Sequence, residues 1–169
     1  MDEDLLLIRR MKNGDDEAID AFVRKYYPAI LRYCRIHISD PGYAEDMTQE
    51  TFVRFFRTFP QYRHYGKALN YLYVIAGNCC RDFYKKNREL PLEEIPEQVD
   101  DTLEQRMDVR MALSRLPEEL REPAVLFFIQ EVRQNQIAKI LGIGLPLVKY
   151  RIRKAKEMLA GLLGKEELE

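Results

Sequence analysis

Tryptophan is absent from these 169 residues, cysteine occurs three times and histidine twice. No apolar run approaches the roughly 20 residues that a membrane-spanning helix requires. Cys34, Cys79 and Cys80 lack metal-ligand spacing, and only His37 and His64 could join them, so no zinc site or other metal site is expected. The adjacent pair Cys79 and Cys80 reads more simply as buried thiols on helix faces than as a redox couple. No glycine-rich phosphate loop and no nucleophile elbow is present, and no cofactor is expected. Strict alternation of apolar and polar residues, the mark of a half-buried strand, is missing as well, which leaves an all-α chain. The first seven residues carry three acidic groups in place of the basic head of a signal peptide, so a cytoplasmic location without membrane insertion is expected.

What the chain does have is charge, segregated along its length. The formal net charge is only -1. Yet from Arg133 to Lys156 seven basic residues occur with no acidic one, and from Glu89 to Asp108 eight acidic residues face Arg106 alone. Between Arg63 and Arg88 six basic residues meet only Asp82. The acidic stretch "ELPLEEIPEQVDDTLEQ" contains two prolines and no helical period until about Leu103, so it reads as a linker. Two small helical domains follow from this, at 1–88 and 106–169, joined by an acidic linker at 89–105.

Asp15 and Asp16 precede a helical pattern through Ala18, Phe22, Tyr26, Ile30, Tyr33 and Ile36, within which Pro28 predicts a kink or a break. Asp40 followed by Pro41 supplies an N-cap and a first-turn proline for the next helix. There Ala44, Met47, Thr51, Phe52, Phe55 and Phe59 share one side, and Asp46, Gln49, Glu50 and Arg57 gather on the other. In the stretch 68–86 the stripe Leu69, Leu72, Ile75, Ala76, Cys79 and Phe83 docks on the domain. Tyr73, Gly77, Asn78, Arg81, Tyr84, Lys85 and Arg88 are expected on the opposite side. Aromatic rings beside cations suit a single-stranded nucleic acid, although a merely solvated basic face would look the same.

In "NQIAKILGIGLPLVKYRIRKAKEML" a short helix at 136–141 meets a turn at 142–144 and then a longer helix. Ile137, Leu141, Ile143, Val148, Ile152, Ala155 and Leu159 form an expected buried seam. Gly142 can adopt the left-handed backbone of a sharp turn. With Gly144 as N-cap, Pro146 lies in the first turn, where its missing N–H has no intrahelical partner. Leu147, Tyr150, Arg151, Arg153 and Lys154 then face outward, as on a helix that enters the major groove. An ordinary helical hairpin is the alternative.

Four stretches taken in order, "DDEAIDAFVRKYYPAILRYCR", "YAEDMTQETFVRFFRTF", "ALNYLYVIAGNCCRDFYKK" and "LPEELREPAVLFFIQEVRQNQIAKILGIGLPLVKYRIRKAKEML", resemble the bacterial sigma factors of the extracytoplasmic-function (ECF) type in the sigma-70 family. The resemblance implies a non-enzymatic subunit that binds core RNA polymerase and directs promoter recognition and DNA opening. It implies polymerase contact by Asp46, Gln49 and Glu50. It implies handling of the unpaired minus-10 strand by loop 61–67, with Arg63 and Lys67, and by Tyr73, Asn78, Arg81, Tyr84 and Lys85. Duplex reading at minus-35 falls by the same match to Leu147, Lys149, Tyr150, Arg151 and Lys154, beside the outward Arg153. Promoter DNA, single-stranded and duplex, is thus an implied partner, and the family adds an anti-sigma factor as a further one.

The chain departs from the pattern at several positions. A tryptophan is common near Tyr71, an arginine is common in place of Gly77, and small glycine, threonine and serine residues usually stand where this chain has Pro146, Leu147 and Tyr150. A helix-turn-helix regulator acting without polymerase remains the alternative function, separated from the first by the acidic set at Asp46, Gln49 and Glu50. An enzyme using Glu45, Asp46 and Glu50 is a third reading, which lacks a histidine-bearing second ligand set.

Overall fold

The computed structural model describes residues 3–63, 67–87 and 109–163. These residues are helical, without strands among them, and the chain divides into two compact units, 1–95 and 96–169. The expected linker at 89–105 lies outside the described residues.

The first unit is built from α1 (Glu3–Lys12), α2 (Asp16–His37), α3 (Pro41–Thr58), a short 3-10 turn (Phe59–Gln61) and α4 (Ala68–Lys86). Helix starts follow the capping chemistry. The Asp15 carboxylate accepts from the Glu17 and Ala18 N–H groups, and Asp40 accepts from Tyr43 N at 3.0 Å. Each satisfies orphan donors at a positive helix end. Arg10 donates to Asp15 at 2.9 Å, and this hydrogen bond is the main reason the Asp15 carboxyl sits below the ordinary carboxylate range.

Of the kink or break expected at Pro28, the break does not occur: helix α2 runs from Asp16 to His37 through it. The ring lies on the exposed side of the helix, so it removes a backbone donor where water can satisfy the orphaned carbonyl, without disturbing the buried face. That face carries Ala18, Phe22, Tyr26, Ile30, Tyr33 and Cys34, all buried. Helix α1 is latched onto it through Asp4, only 3% exposed, whose carboxylate accepts from the Tyr26 hydroxyl and from Lys25 Nζ at 3.1 Å.

Phe55 of α3 is the hub of the unit. Its ring stacks on Phe22 at 5.0 Å and lies within 5.9 Å of the rings of Phe56, Phe59, Tyr62 and Tyr71. Buried Thr48 and Thr51 cost little, because their hydroxyls donate to the Ala44 and Met47 carbonyls at 2.9 and 2.7 Å. The three cysteines are buried, with Cys34 Sγ and Cys80 Sγ 4.0 Å apart across α2 and α4.

The second unit holds α5 (described over 109–114), α6 (Glu118–Ala124), a π-helical turn (Val125–Ile129), α7 (Gln134–Leu141) and α8 (Leu145–Leu163). The Arg121 guanidinium joins α6 to the end of α5 by donating to the carbonyls of Leu113, Ser114 and Leu116 at 3.0–3.3 Å. The π turn, which no feature of the sequence pattern announces, begins two residues after Pro123. It carries Val125 and Leu126 into a core completed by Leu116, Leu120, Ile137, Val148, Ile152, Ala155 and Leu159. Of the expected seam, Leu141 and Ile143 are only half-buried.

Gly142 closes α7 at φ 66°, and the Ile143 N–H reaches back to the Ala138 carbonyl at 3.1 Å. This is the αL stop that favours glycine. Helix α8 begins one residue after Gly144, whose carbonyl accepts from Val148 N at 3.1 Å. Gly144 is therefore the N-cap, and Pro146 sits in the first turn as the sequence required.

Truncating the aromatic hub, Phe55→Ala, is expected to cost about 3–5 kcal/mol, the range for a buried phenylalanine. The check is chemical denaturation of the full chain followed by a probe in the first unit. Removing the α3 cap, Asp40→Ala, should cost about 1 kcal/mol in the same measurement.

Candidate functional site

Three exposed surfaces, on α3, α4 and α8, bear the chemistry singled out in the sequence. On α3 the hub side is sealed by Phe52 and Phe55, so the opposite side is held outward. Asp46 and Gln49 are exposed there, and Glu50 is half-exposed. Glu50 accepts from Arg54 Nε at 3.1 Å, and Arg54 Nη1 reaches Asp82 of α4 at 3.0 Å. The guanidinium, held most by Glu50, stays charged above its ordinary range. It orients the Glu50 carboxylate while Asp46 and Gln49 face solvent. Val53, 47% exposed, lies on the same side one turn further on. The sequence reading passed over Val53 and Arg54, although their spacing of three and four from Glu50 marks them.

On α4 the structure keeps most of the predicted surface and corrects part of it. Asn78, Arg81, Tyr84 and Lys85 are exposed, as are Arg63 and Lys67 beside the loop. Arg81 donates to Asn78 at 2.5 Å. The Tyr84 hydroxyl donates to the His37 carbonyl at the end of α2, which pins the exposed ring against the unit. Residues 64–66 and Arg88 lie outside the described residues.

Tyr73, expected on the outward side, is 2% exposed and packs on Tyr33 at 5.5 Å. Gly77 is buried too. The reason is that α4 packs against both α2 and α3, so its buried arc is wider than one apolar stripe and takes in the flank that carries 73, 77 and 80. Burial raises the Tyr73 phenol from its ordinary 10.0 to about 12. The ring that reaches the surface instead is Tyr71, 37% exposed and 5.3 Å from Tyr62.

The third surface is α8. Leu147, Lys149, Tyr150, Arg153 and Lys154 are exposed, and Arg151 is half-exposed. The Arg153 guanidinium lies 5.8 Å from the centre of the Tyr150 ring, within cation–π range. The first acidic side chain along α8 is Glu157, 4.0 Å from Lys154 Nζ. Val148, Ile152 and Ala155 anchor the other side, so Lys149, Arg153 and Lys154 are left in solvent. Among the described residues no three histidine, cysteine, aspartate or glutamate side chains gather as a metal site. No described helix is long and apolar enough to cross a membrane.

With this geometry in place, comparison with known proteins identifies the chain. Residues 22–89 match sigma-70 region 2, and residues 106–159 match sigma-70 region 4. Similar proteins include the ECF RNA polymerase sigma factor SigE of Mycolicibacterium smegmatis, 29% identical over 172 residues that cover 92% of this chain and 66% of that protein. The RNA polymerase sigma-H factor of Pseudomonas aeruginosa is 25% identical over 178 residues, covering 94% and 92%. The ECF factor SigW of Bacillus subtilis is 27% identical over 172 residues, covering 90% and 92%.

Two solved structures share the fold. CnrH, in complex with the cytosolic domain of CnrY, matches at a TM-score of 0.81 and 23% identity, covering 98% of this chain and all of that one. The sigma factor RpoE of Bartonella quintana, in complex with the anti-sigma factor NepR, matches at 0.69 and 20% identity, covering 86% and 96%. The chain belongs to the sigma-70 family, as a factor of the extracytoplasmic-function type.

The buried phenol gives a pH-dependent outcome. The folded state holds Tyr73 neutral while the unfolded chain ionises it near 10, so stability should fall as pH rises from about 10 through about 12. Denaturant midpoints across that window, compared with Tyr73→Phe, are expected to show a shallower fall in the variant.

Proposed function

We infer that this chain is a dissociable specificity subunit of RNA polymerase that directs promoter recognition and DNA opening at transcription initiation. The observation that carries the reading is the presence of both sigma modules in one chain and in order, region 2 at 22–89 and region 4 at 106–159. A regulator acting without polymerase would need the second module alone.

In this reading α3 docks on core polymerase through Asp46, Gln49 and the Arg54-oriented Glu50, with Val53 as an apolar contact among them. Loop 61–67 and α4 receive the unpaired minus-10 strand. Arg63, Lys67, Arg81 and Lys85 meet phosphates, Asn78 supplies an amide, and the pinned ring of Tyr84 offers a stacking face. Tyr73 supports this surface from beneath. Helix α8 enters the minus-35 major groove with Leu147 and Tyr150 foremost and with Lys149, Arg151, Arg153 and Lys154 around them.

The domain limits proposed for this division are 1–88 and 106–169, with 89–105 as an acidic linker. RNA synthesis remains the work of polymerase, and the chain contributes affinity and melting without a catalytic group of its own, in the cytoplasm. An anti-sigma protein is a further proposed partner, since both structural neighbours were solved in complex with other proteins, NepR named as an anti-sigma factor among them.

Asp46→Ala is expected to weaken binding to core polymerase about 30-fold, the loss for an interface hot spot worth about 2 kcal/mol. The helix content should be unchanged, and run-off transcription from a promoter library should fall in parallel. A correctly folded chain that never binds core polymerase defeats the reading. For the duplex surface, log affinity plotted against log salt should be steep, and Lys149→Ala should reduce the slope by about 0.9 if that lysine neutralises one phosphate.

A further inference from the structure

The first two turns of α8 are unusual for a surface meant to read bases. Pro146, Leu147 and Tyr150 are all exposed, Leu147 at 39% and Tyr150 at 50%. Pro146 and Leu147 have no side-chain donor or acceptor, and Tyr150 has a single hydroxyl. The paired hydrogen bonds that distinguish guanine or adenine in the major groove come from arginine, lysine, asparagine or glutamine. The apex of this helix cannot make them. Of its cations, Lys149, Arg153 and Lys154 are exposed, Lys154 one turn beyond Tyr150 on the same face, and Arg151, one turn beyond Leu147, is half-exposed.

A hydrocarbon side chain can still recognise one major-groove feature, the C5-methyl group of thymine. Leu147 and Tyr150 are three residues apart and so neighbours on one face of the helix. The Arg153 guanidinium beside the Tyr150 ring braces that aromatic wall. Together Leu147 and Tyr150 expose an apolar surface to solvent, with Lys149, Arg153 and Lys154 exposed on the same helix. Exposure of such groups to water in the free protein is what burial against a methyl would reverse.

We propose that Leu147, walled by Tyr150, is a specificity-determining residue that reads thymine methyl groups in the duplex bound by α8. The inference rests on the reading of α8 as a minus-35 duplex reader. Phosphate contacts by the flanking cations supply affinity and register, and the apolar pair supplies the preference.

The test uses holoenzyme assembled from the full chain and core polymerase. Duplexes are first selected from a pool randomised over the upstream element. Each thymine of the selected duplex is then replaced by uracil, which deletes only the methyl. At one or two positions uracil should weaken binding about fourfold, the equivalent of about 0.8 kcal/mol for one buried carbon. Leu147→Ala should bind thymine and uracil duplexes alike, Leu147→Met should keep the difference, and Lys149→Ala should weaken both duplexes equally. Equal binding of thymine and uracil duplexes by the unaltered holoenzyme overturns the proposal while leaving duplex recognition intact. A preference that survives undiminished in Leu147→Ala overturns it too. Failure to select any upstream sequence takes down the duplex-reading assignment itself, a result distinguishable from loss of methyl discrimination.

Discussion

The packing of Phe55 orients the first unit. A ring stacked on Phe22 and surrounded by Phe56, Phe59, Tyr62 and Tyr71 leaves α3 one rotation about its axis. With that rotation set, Asp46 and Gln49 face water and Glu50 meets Arg54. The same ring holds Tyr62 and Tyr71 at either end of the loop between the 3-10 turn and α4. The core thus positions both edges of the unit. Close packing makes this possible, because interdigitated aromatic side chains resist the small rotations that would turn a carboxylate away from a partner.

The two units solve different electrostatic problems. The first carries its exposed carboxylates and its cations on separate helices bridged by the Glu50–Arg54–Asp82 chain. That bridge keeps Arg54, which lies between the two surfaces, occupied with its own neighbours. The second unit concentrates cations on α8 with no acidic residue between Glu131 and Glu157. A near-neutral net charge is compatible with nucleic-acid binding only through this segregation, since the field near a surface depends on local charge within about a Debye length and little on the total.

Caps and stops were plain in the primary structure. Asp40, Gly142 and the Gly144–Pro146 start act through the backbone within a few residues, so local spacing suffices to read them. Pro28 and Tyr73 could not be read in that way. Whether a proline breaks a helix depends on which side its ring takes and on whether neighbours support the flanking turns. Tyr73 has the chemistry of a stacking ring, and nothing near it in sequence announces that a second helix covers it. The π turn after Pro123 likewise depends on how Val125 and Leu126 reach a shared core.

Sequence alone determined the helical class, the two-part organisation, the capping points and the acidic and basic surfaces on α3 and α8, because each follows from periodicity of 3.6 residues or from charge order along the chain. Tertiary structure decided which tyrosines of α4 are exposed, Tyr71 and Tyr84 and not Tyr73, and which partner orients Glu50. The physical reason is that a helical wheel divides a helix into an inner and an outer half, whereas α4 packs against two neighbours at once, and only their positions say how wide its buried arc becomes.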